Sequence, residues 1–257
     1  MMRMRTAIAT CLLSLLAGIQ IEAQEKPKMH ADEVIARLVA HDAEREKLGG
    51  GYTGRRRYNL ENQQLNKQAE MLVTVSCDGD GRKHFEIVSE QGWKSANSHV
   101  LEKMLESEEQ TSQPEKRSAT RVAFENYSFE LLGTEVLDGR LAYVLRVLPK
   151  RQDKYLFDGR IWVDAEDFAM VQAEGSPAKS PSFWTRSVHF VARYHKSGDF
   201  WFPLSTESVT EARIFGKTNV TINYFGYSPN SELSERSATR APVIGLTYLS
   251  EGNHAEH

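Results

Sequence analysis

The chain has 257 residues, with 32 Lys and Arg against 35 Asp and Glu and a formal net charge of −3. This mildly acidic balance gives no hint of nucleic-acid binding, which usually shows as a strongly basic domain. With only Cys11 and Cys77, the chain can build neither a disulfide framework nor a paired-cysteine zinc site, and its length suits one large β domain whose core needs no staples.

Arg3 and Arg5 precede an apolar run over residues 7–21, and Ile21-Glu22-Ala23 stands before the polar Gln24-Glu25-Lys26. A basic start, a short apolar stretch and a small residue at the cut predict a secretory signal peptide over residues 1–23, cleaved near Ala23. The apolar run is shorter than the roughly 20 residues needed to span a bilayer. Ile19 occupies the place a lipid-modified cysteine would take, so no lipid anchor is expected. Cleavage removes Cys11 and leaves Cys77 without an intrachain partner, which fits a bacterial periplasm. Residues 24–257 are expected to form a single domain, with 228–257 a partly ordered tail.

Over residues 31–48, Val34, Ile35, Leu38 and Val39 make an apolar stripe among charged positions, which predicts a helix ended by Gly49-Gly50-Gly51. A strand follows over 52–60, carrying Arg55-Arg56-Arg57. Met71, Val73 and Val75 alternate with polar neighbours, and Asp78-Gly79-Asp80-Gly81 turns that strand into one over 83–89. Val100, Leu101, Met104 and Leu105 predict a second helix over 97–109, and 110–118, with Pro114, reads as a loop. Tyr127, Phe129 and Leu131 alternate, Asp138-Gly139 follows, and Leu141, Tyr143, Leu145 and Val147 alternate on the return. Asp-Gly between alternating runs is a hairpin signal, because both central positions need φ > 0. Asp158-Gly159 between Tyr155-Leu156-Phe157 and Ile161-Trp162-Val163 predicts another tight hairpin. Residues 165–174 read as a helical turn or strand edge, and 176–182 as a loop. Val188, Phe190, Ala192 and Tyr194 then alternate, Ser197-Gly198-Asp199 turns into Phe200-Trp201-Phe202, and a turn at Gly216-Lys217 leads to Val220, Ile222 and Tyr224. A last short strand is expected over 243–249. Hairpin-linked strands at this spacing predict an antiparallel meander with one apolar face.

The residues carry no pattern of catalytic chemistry. The eight histidines are scattered and His189 and His195 lie outside any His-Glu-x-x-His helix. Gly175-Ser176 and Tyr227-Ser228 lack the glycines of a nucleophile elbow. Aligning Gly81 with the invariant glycine of a calcium loop puts Ile87 where the final Glu is required. Asp164, Glu166 and Asp167 read as capping carboxylates at a strand-to-turn boundary. Arg55-Arg56-Arg57 alternates across a strand, either as a solvated edge or as a patch that meets an acidic partner or a phosphate. Large apolar side chains are plentiful on the predicted strands, among them Tyr127, Phe129, Tyr143, Trp162, Trp184, Phe190 and Tyr194. They make either a core packed under two helices or a concave, partly covered face that acts as a ligand groove. The groove candidates are Phe129, Leu131, Tyr143, Leu145, Phe190 and Tyr194.

Asn126-Tyr127-Ser128-Phe129, the Asp138-Gly139-Arg140 turn, residues 145–149, Gly159-Arg160-Ile161-Trp162-Val163-Asp164 and Phe200-Trp201-Phe202-Pro203 occur in this order. Together they resemble the outer-membrane lipoprotein-sorting (LolA-like) superfamily, which includes the lipoprotein carrier and the RseB/MucB-type sensor. The resemblance implies a mainly β fold: a curved antiparallel sheet forming an incomplete barrel, with two or three short helices packed on its concave side. It also implies a periplasmic lipid or lipoprotein carrier that holds acyl chains in a hydrophobic groove, with a sensor of mislocalised lipoproteins as the alternative. Membrane-associated donor and acceptor proteins are the partners implied. No cofactor, no metal, no nucleic acid and no enzymatic activity are expected, and the protein is expected to be a monomer. Each CH₂ buried is worth about 0.8 kcal/mol, so an acyl tail of about a dozen gains on the order of 10 kcal/mol gross, much of it offset by ordering and by opening the site.

Overall fold

The computed structural model describes residues 29–47, 51–181, 183, 185–213 and 216–230. The expected signal peptide, the strand over 243–249 and most of the expected tail lie outside the described residues, as does Trp184.

Helix α1 (Ala31–Lys47) precedes three strands, β1 (Tyr52–Asn62), β2 (Lys67–Cys77) and β3 (Lys83–Gly92). A helical stretch follows, starting as α2 (Lys94–Ala96), widening into a π-helical turn (Asn97–Leu101) and continuing as α3 (Glu102–Ser112); α4 (Pro114–Thr120) completes it. Seven strands then run in sequence: β4 (Tyr127–Leu137), β5 (Arg140–Pro149), β6 (Phe157–Asp164), β7 (Met170–Pro177), β8 (Thr185–Ser197), β9 (Phe200–Ala212) and β10 (Gly216–Pro229). The ten strands form one sheet in the order β3-β2-β1-β10-β9-β8-β7-β6-β5-β4. Neighbouring strands pair antiparallel, and the sheet is open between its edge strands β3 and β4. It is the antiparallel meander expected from the alternating pattern, and it forms the incomplete barrel with few helices that the resemblance implied.

Two details of the sequence reading are corrected. Residues 110–118 belong to α3 and α4, which are separated only by extended Gln113, and are not a loop. Pro114 sits at the start of α4, where its missing N–H costs nothing and its fixed φ suits the helix. Asp158-Gly159 lies inside β6 and is no hairpin turn. Gly159 pairs across strands with Gly175, and a Cβ on either would run into the facing backbone. Glycine here permits close approach of two strands. At Asp138-Gly139, by contrast, φ is +48° and +79°, the two positive values of the predicted tight turn between β4 and β5.

The cross-strand register places one apolar face across the whole sheet, and the helices pack on it in two groups. Val34, Ile35 and Leu38 of α1 are buried on Tyr127, Tyr143, Leu145, Val147, Ile161 and Val163. The stretch from α2 through α3 inserts Ala96, Leu101 and Leu105 onto Tyr58, Leu60, Met71, Val73, Val220 and Ile222. Each buried Val, Leu, Ile or Met among them stabilises the fold by about 1.5–3 kcal/mol relative to exposure. Between the two groups run β8 and β9. Their side chains on this face, such as Val188, Phe190 and Thr206, are only half-buried. A small third cluster, Ala142, Val144 and Trp162, occupies the opposite face, where the Trp162 indole N–H donates to Glu135 at 2.8 Å.

Candidate functional site

The uncovered middle of the sheet ends in a cavity of about 630 Å³. Val39 of α1, Tyr52 at the start of β1, and Tyr194, Phe200 and Phe202 of the β8–β9 hairpin supply its apolar wall. The aromatic rings are clustered: Tyr52 meets Phe202 edge-on at 6.3 Å between centroids, and Phe200 stacks near Phe202 at 6.1 Å. Lys83, Arg117 and Arg121, with Asp42 and Asp78, form the polar part of the lining. Burial pushes the Tyr194 hydroxyl up to about 12, so it stays protonated and able to donate.

Behind this cavity lies a buried ionic cluster. Arg56, only 1% exposed, pairs with Glu108 of α3 through two hydrogen bonds of 2.6 and 3.1 Å. Its Nε donates to the Tyr227 hydroxyl at 2.8 Å, and its guanidinium lies over the rings of Phe85 and Tyr224. Lys83 Nζ reaches the same Glu108 carboxylate at 2.7 Å, and Lys83 N–H donates to Ser112 Oγ at 3.0 Å. Burial alone would push the Glu108 carboxyl up, but Lys83 and Arg56 together hold it down at about 2. The middle arginine of Arg55-Arg56-Arg57 is therefore turned into the fold, while its two neighbours are exposed.

A second network fixes the outer side of the hairpin. Arg140 makes a bidentate pair with buried Asp164 at 2.6 and 2.8 Å. Asp164 also accepts the backbone N–H groups of Glu166 and Asp167, the capping role read from the sequence. Burial acts to raise the Asp164 carboxyl, but Arg140 and these N–H groups leave it below its ordinary value. Asp167 in turn accepts from the Trp201 indole at 3.0 Å and from Lys196 at 2.7 Å, which ties the β8–β9 hairpin to the β6–β7 turn.

Of the six groove candidates, Tyr194 lines the cavity. Phe129, Leu131, Tyr143, Leu145 and Phe190 share its sheet face but lie in the cluster beneath α1, with Leu145 fully buried and Tyr143 7% exposed. The sequence reading missed Tyr52, Phe200, Phe202 and the cationic lining. The aromatic run Phe200-Trp201-Phe202 after a glycine turn was a visible signal; nothing in the sequence brings Tyr52 or Arg121 to it. Among the described residues no group of three His, Cys, Asp or Glu side chains is placed to hold a metal ion, and Cys77 is a buried free thiol at the cavity edge.

Fold and site define a protein built on an open antiparallel sheet, capped by helices on one face and holding an amphipathic cavity at the helix-facing end of its central hairpin. Residues 119–230 match a family of unknown function, DUF5686. No curated protein matches the chain. The chain is similar to the solved structure of a DUF1329 family protein from Desulfovibrio piger (TM-score 0.42, 10% identity, 79% of this chain and 95% of that one). It is also similar to a putative outer membrane lipoprotein-sorting protein domain from Vibrio parahaemolyticus (TM-score 0.41, 12% identity, 82% and 98%). A third is a LolA superfamily protein from Nitrosomonas europaea (TM-score 0.34, 11% identity, 79% and 94%).

Proposed function

We propose that this protein is a periplasmic binder or carrier of acyl chains, as in the handling of lipids or lipoproteins bound for the outer membrane. The observation that supports this reading is the cavity of about 630 Å³ walled by Val39, Tyr52, Tyr194, Phe200 and Phe202. Its size falls within the range of about 300–1,000 Å³ usual for small-molecule sites. Under this reading the tail enters at Tyr194 and runs beneath α1, along Phe190, Phe129, Leu131, Tyr143 and Leu145, with α1 lifting as it enters. Val34, Ile35 and Leu38, which cover those side chains in this structure, would be exchanged for acyl CH₂ groups of similar chemistry, so much of the gain in burial is offset. A carrier that must release its load benefits from that near balance.

The test is displacement of a fluorescent fatty acid from the purified protein. Wild type should bind the probe, and Tyr194→Asp should weaken binding by at least about ten-fold, roughly 1.4 kcal/mol, with its circular dichroism unchanged. A wild-type protein that neither binds the probe nor co-purifies with lipid in native mass spectrometry would defeat the proposal.

A further inference from the structure

The cavity wall is not uniformly apolar, and its charges do not cancel. Lys83 at the start of β3, Arg117 of α4 and Arg121 just after α4 converge on it from two parts of the chain, beside Asp42 and Asp78. Behind Lys83, the Glu108 carboxylate is shared by two cations, Lys83 and Arg56, so this buried trio carries one net positive charge. Asp78 faces His84 at 3.2 Å, and the Arg117 guanidinium donates to the Asp80 carbonyl, which holds it beside Gly81. The backbone that presents Arg121 is itself pinned. Asn126 Nδ2 donates to the carbonyls of Ser118 and Arg121, each at 3.0 Å, and Arg151 donates to Asn126 Oδ1 at 2.8 Å. Taking lining and trio together, Arg56, Lys83, Arg117 and Arg121 stand against Asp42, Asp78 and Glu108. In a half-enclosed site with aromatic walls, where the effective dielectric is well below that of water, such an excess is felt strongly by an anion. The protonated Tyr194 hydroxyl adds a neutral donor at the boundary between the cationic and apolar parts.

From this separation of charge and apolar wall we infer that the ligand is an amphiphile with an anionic end group, a carboxylate or a phosphate. Its head sits against Lys83 and Arg121, and its tail passes between Phe200, Phe202 and Tyr194 before running beneath α1. The inference rests on the acyl-chain reading and adds to it the chemistry of the head. Charge-assisted hydrogen bonds from Arg and Lys are the strong ones. The head therefore fixes orientation while the tail supplies the area.

The experiment compares dodecanoate, dodecyl phosphate and 1-dodecanol as displacers of the neutral probe N-phenyl-1-naphthylamine from the full chain at low ionic strength. The two anions should displace it at least about ten-fold better than the alcohol, and added salt should narrow that gap. Arg121→Gln should remove most of the preference and leave the alcohol unchanged. Lys83→Met, which keeps the Arg56–Glu108 pair, should do the same if Arg121→Gln fails to fold. Equal displacement by all three would overturn the inference while leaving the acyl-chain reading intact. No displacement by any would overturn both. An anion preference that survives both substitutions would place the head elsewhere and also overturn it. So would inorganic phosphate competing as well as dodecyl phosphate, since the site would then take a free anion.

Discussion

Arg56 and Glu108 show how much a single residue's surroundings matter here. A buried guanidinium without a partner is among the costlier features a core can hold, and this one has its carboxylate, two tyrosine hydroxyls and two aromatic faces. The arrangement has a consequence in acid. The Glu108 carboxyl titrates at about 2 in the fold against an ordinary 4.5. A depressed carboxylate contributes stability that is complete above the unfolded value and is lost as pH falls through the folded one. Thermal unfolding should therefore show a loss of stability between pH 4.5 and 2 that Glu108→Gln largely removes. At neutral pH Glu108→Gln should cost about 2 kcal/mol, a moderate figure because its side chain is 31% exposed. An acid profile identical in wild type and variant would contradict this. The sequence displayed three consecutive arginines and an acidic helix, but their union depends on a strand and a helix that meet only in the fold.

At the scale of elements, α1 has two kinds of apolar residue. Leu38 is 1% exposed and packs on the β4–β6 side of the sheet, whereas its neighbour Val39 is only partly buried at the edge of that cluster and lines the cavity. Leu38→Ala should lower stability by about 2–5 kcal/mol, because a core leucine leaves a void that its surroundings fill only in part. Val39→Ala should cost less than about 1.5 kcal/mol and should alter probe binding instead. Denaturant unfolding and probe titration on the two variants separate the roles; equal losses of stability would mean that Val39 is core as well. The helical periodicity of α1 was legible, since Val34, Ile35, Leu38 and Val39 lie on one stripe in the sequence. Which member of the stripe meets the core and which meets the cavity was not, because that depends on where the β8–β9 hairpin ends. The Asp158-Gly159 reading failed for a related reason. A glycine at a turn and a glycine at a close strand contact look alike in one dimension, and only Gly175 opposite tells them apart.

For the whole molecule, β10 is the strand on which the sheet's continuity rests. It pairs with β1 along Tyr52 to Asn62 and with β9 from Gly216 to Asn223, and so joins β1–β3 to β4–β9. Ending the chain before Gly216 should leave two unpaired edges and expose Tyr58, Leu60 and Met71 on one side of the break. Such a chain is expected to aggregate or to lose its cooperative unfolding transition; recovery of a monomer with a wild-type unfolding curve would disprove this. Period-two alternation, turn residues and the α1 stripe determined the antiparallel class, most strand positions and the Asp138-Gly139 hairpin from the sequence by itself, since each is a contest between neighbours a few residues apart. The pairing of β1 with β10, the Arg56–Glu108–Lys83 cluster, and the meeting of Tyr52, Arg121 and Phe202 around one cavity were decided only by the tertiary structure. The partners in each lie far apart along the chain, and no local propensity records which distant strand or helix will cover a given face.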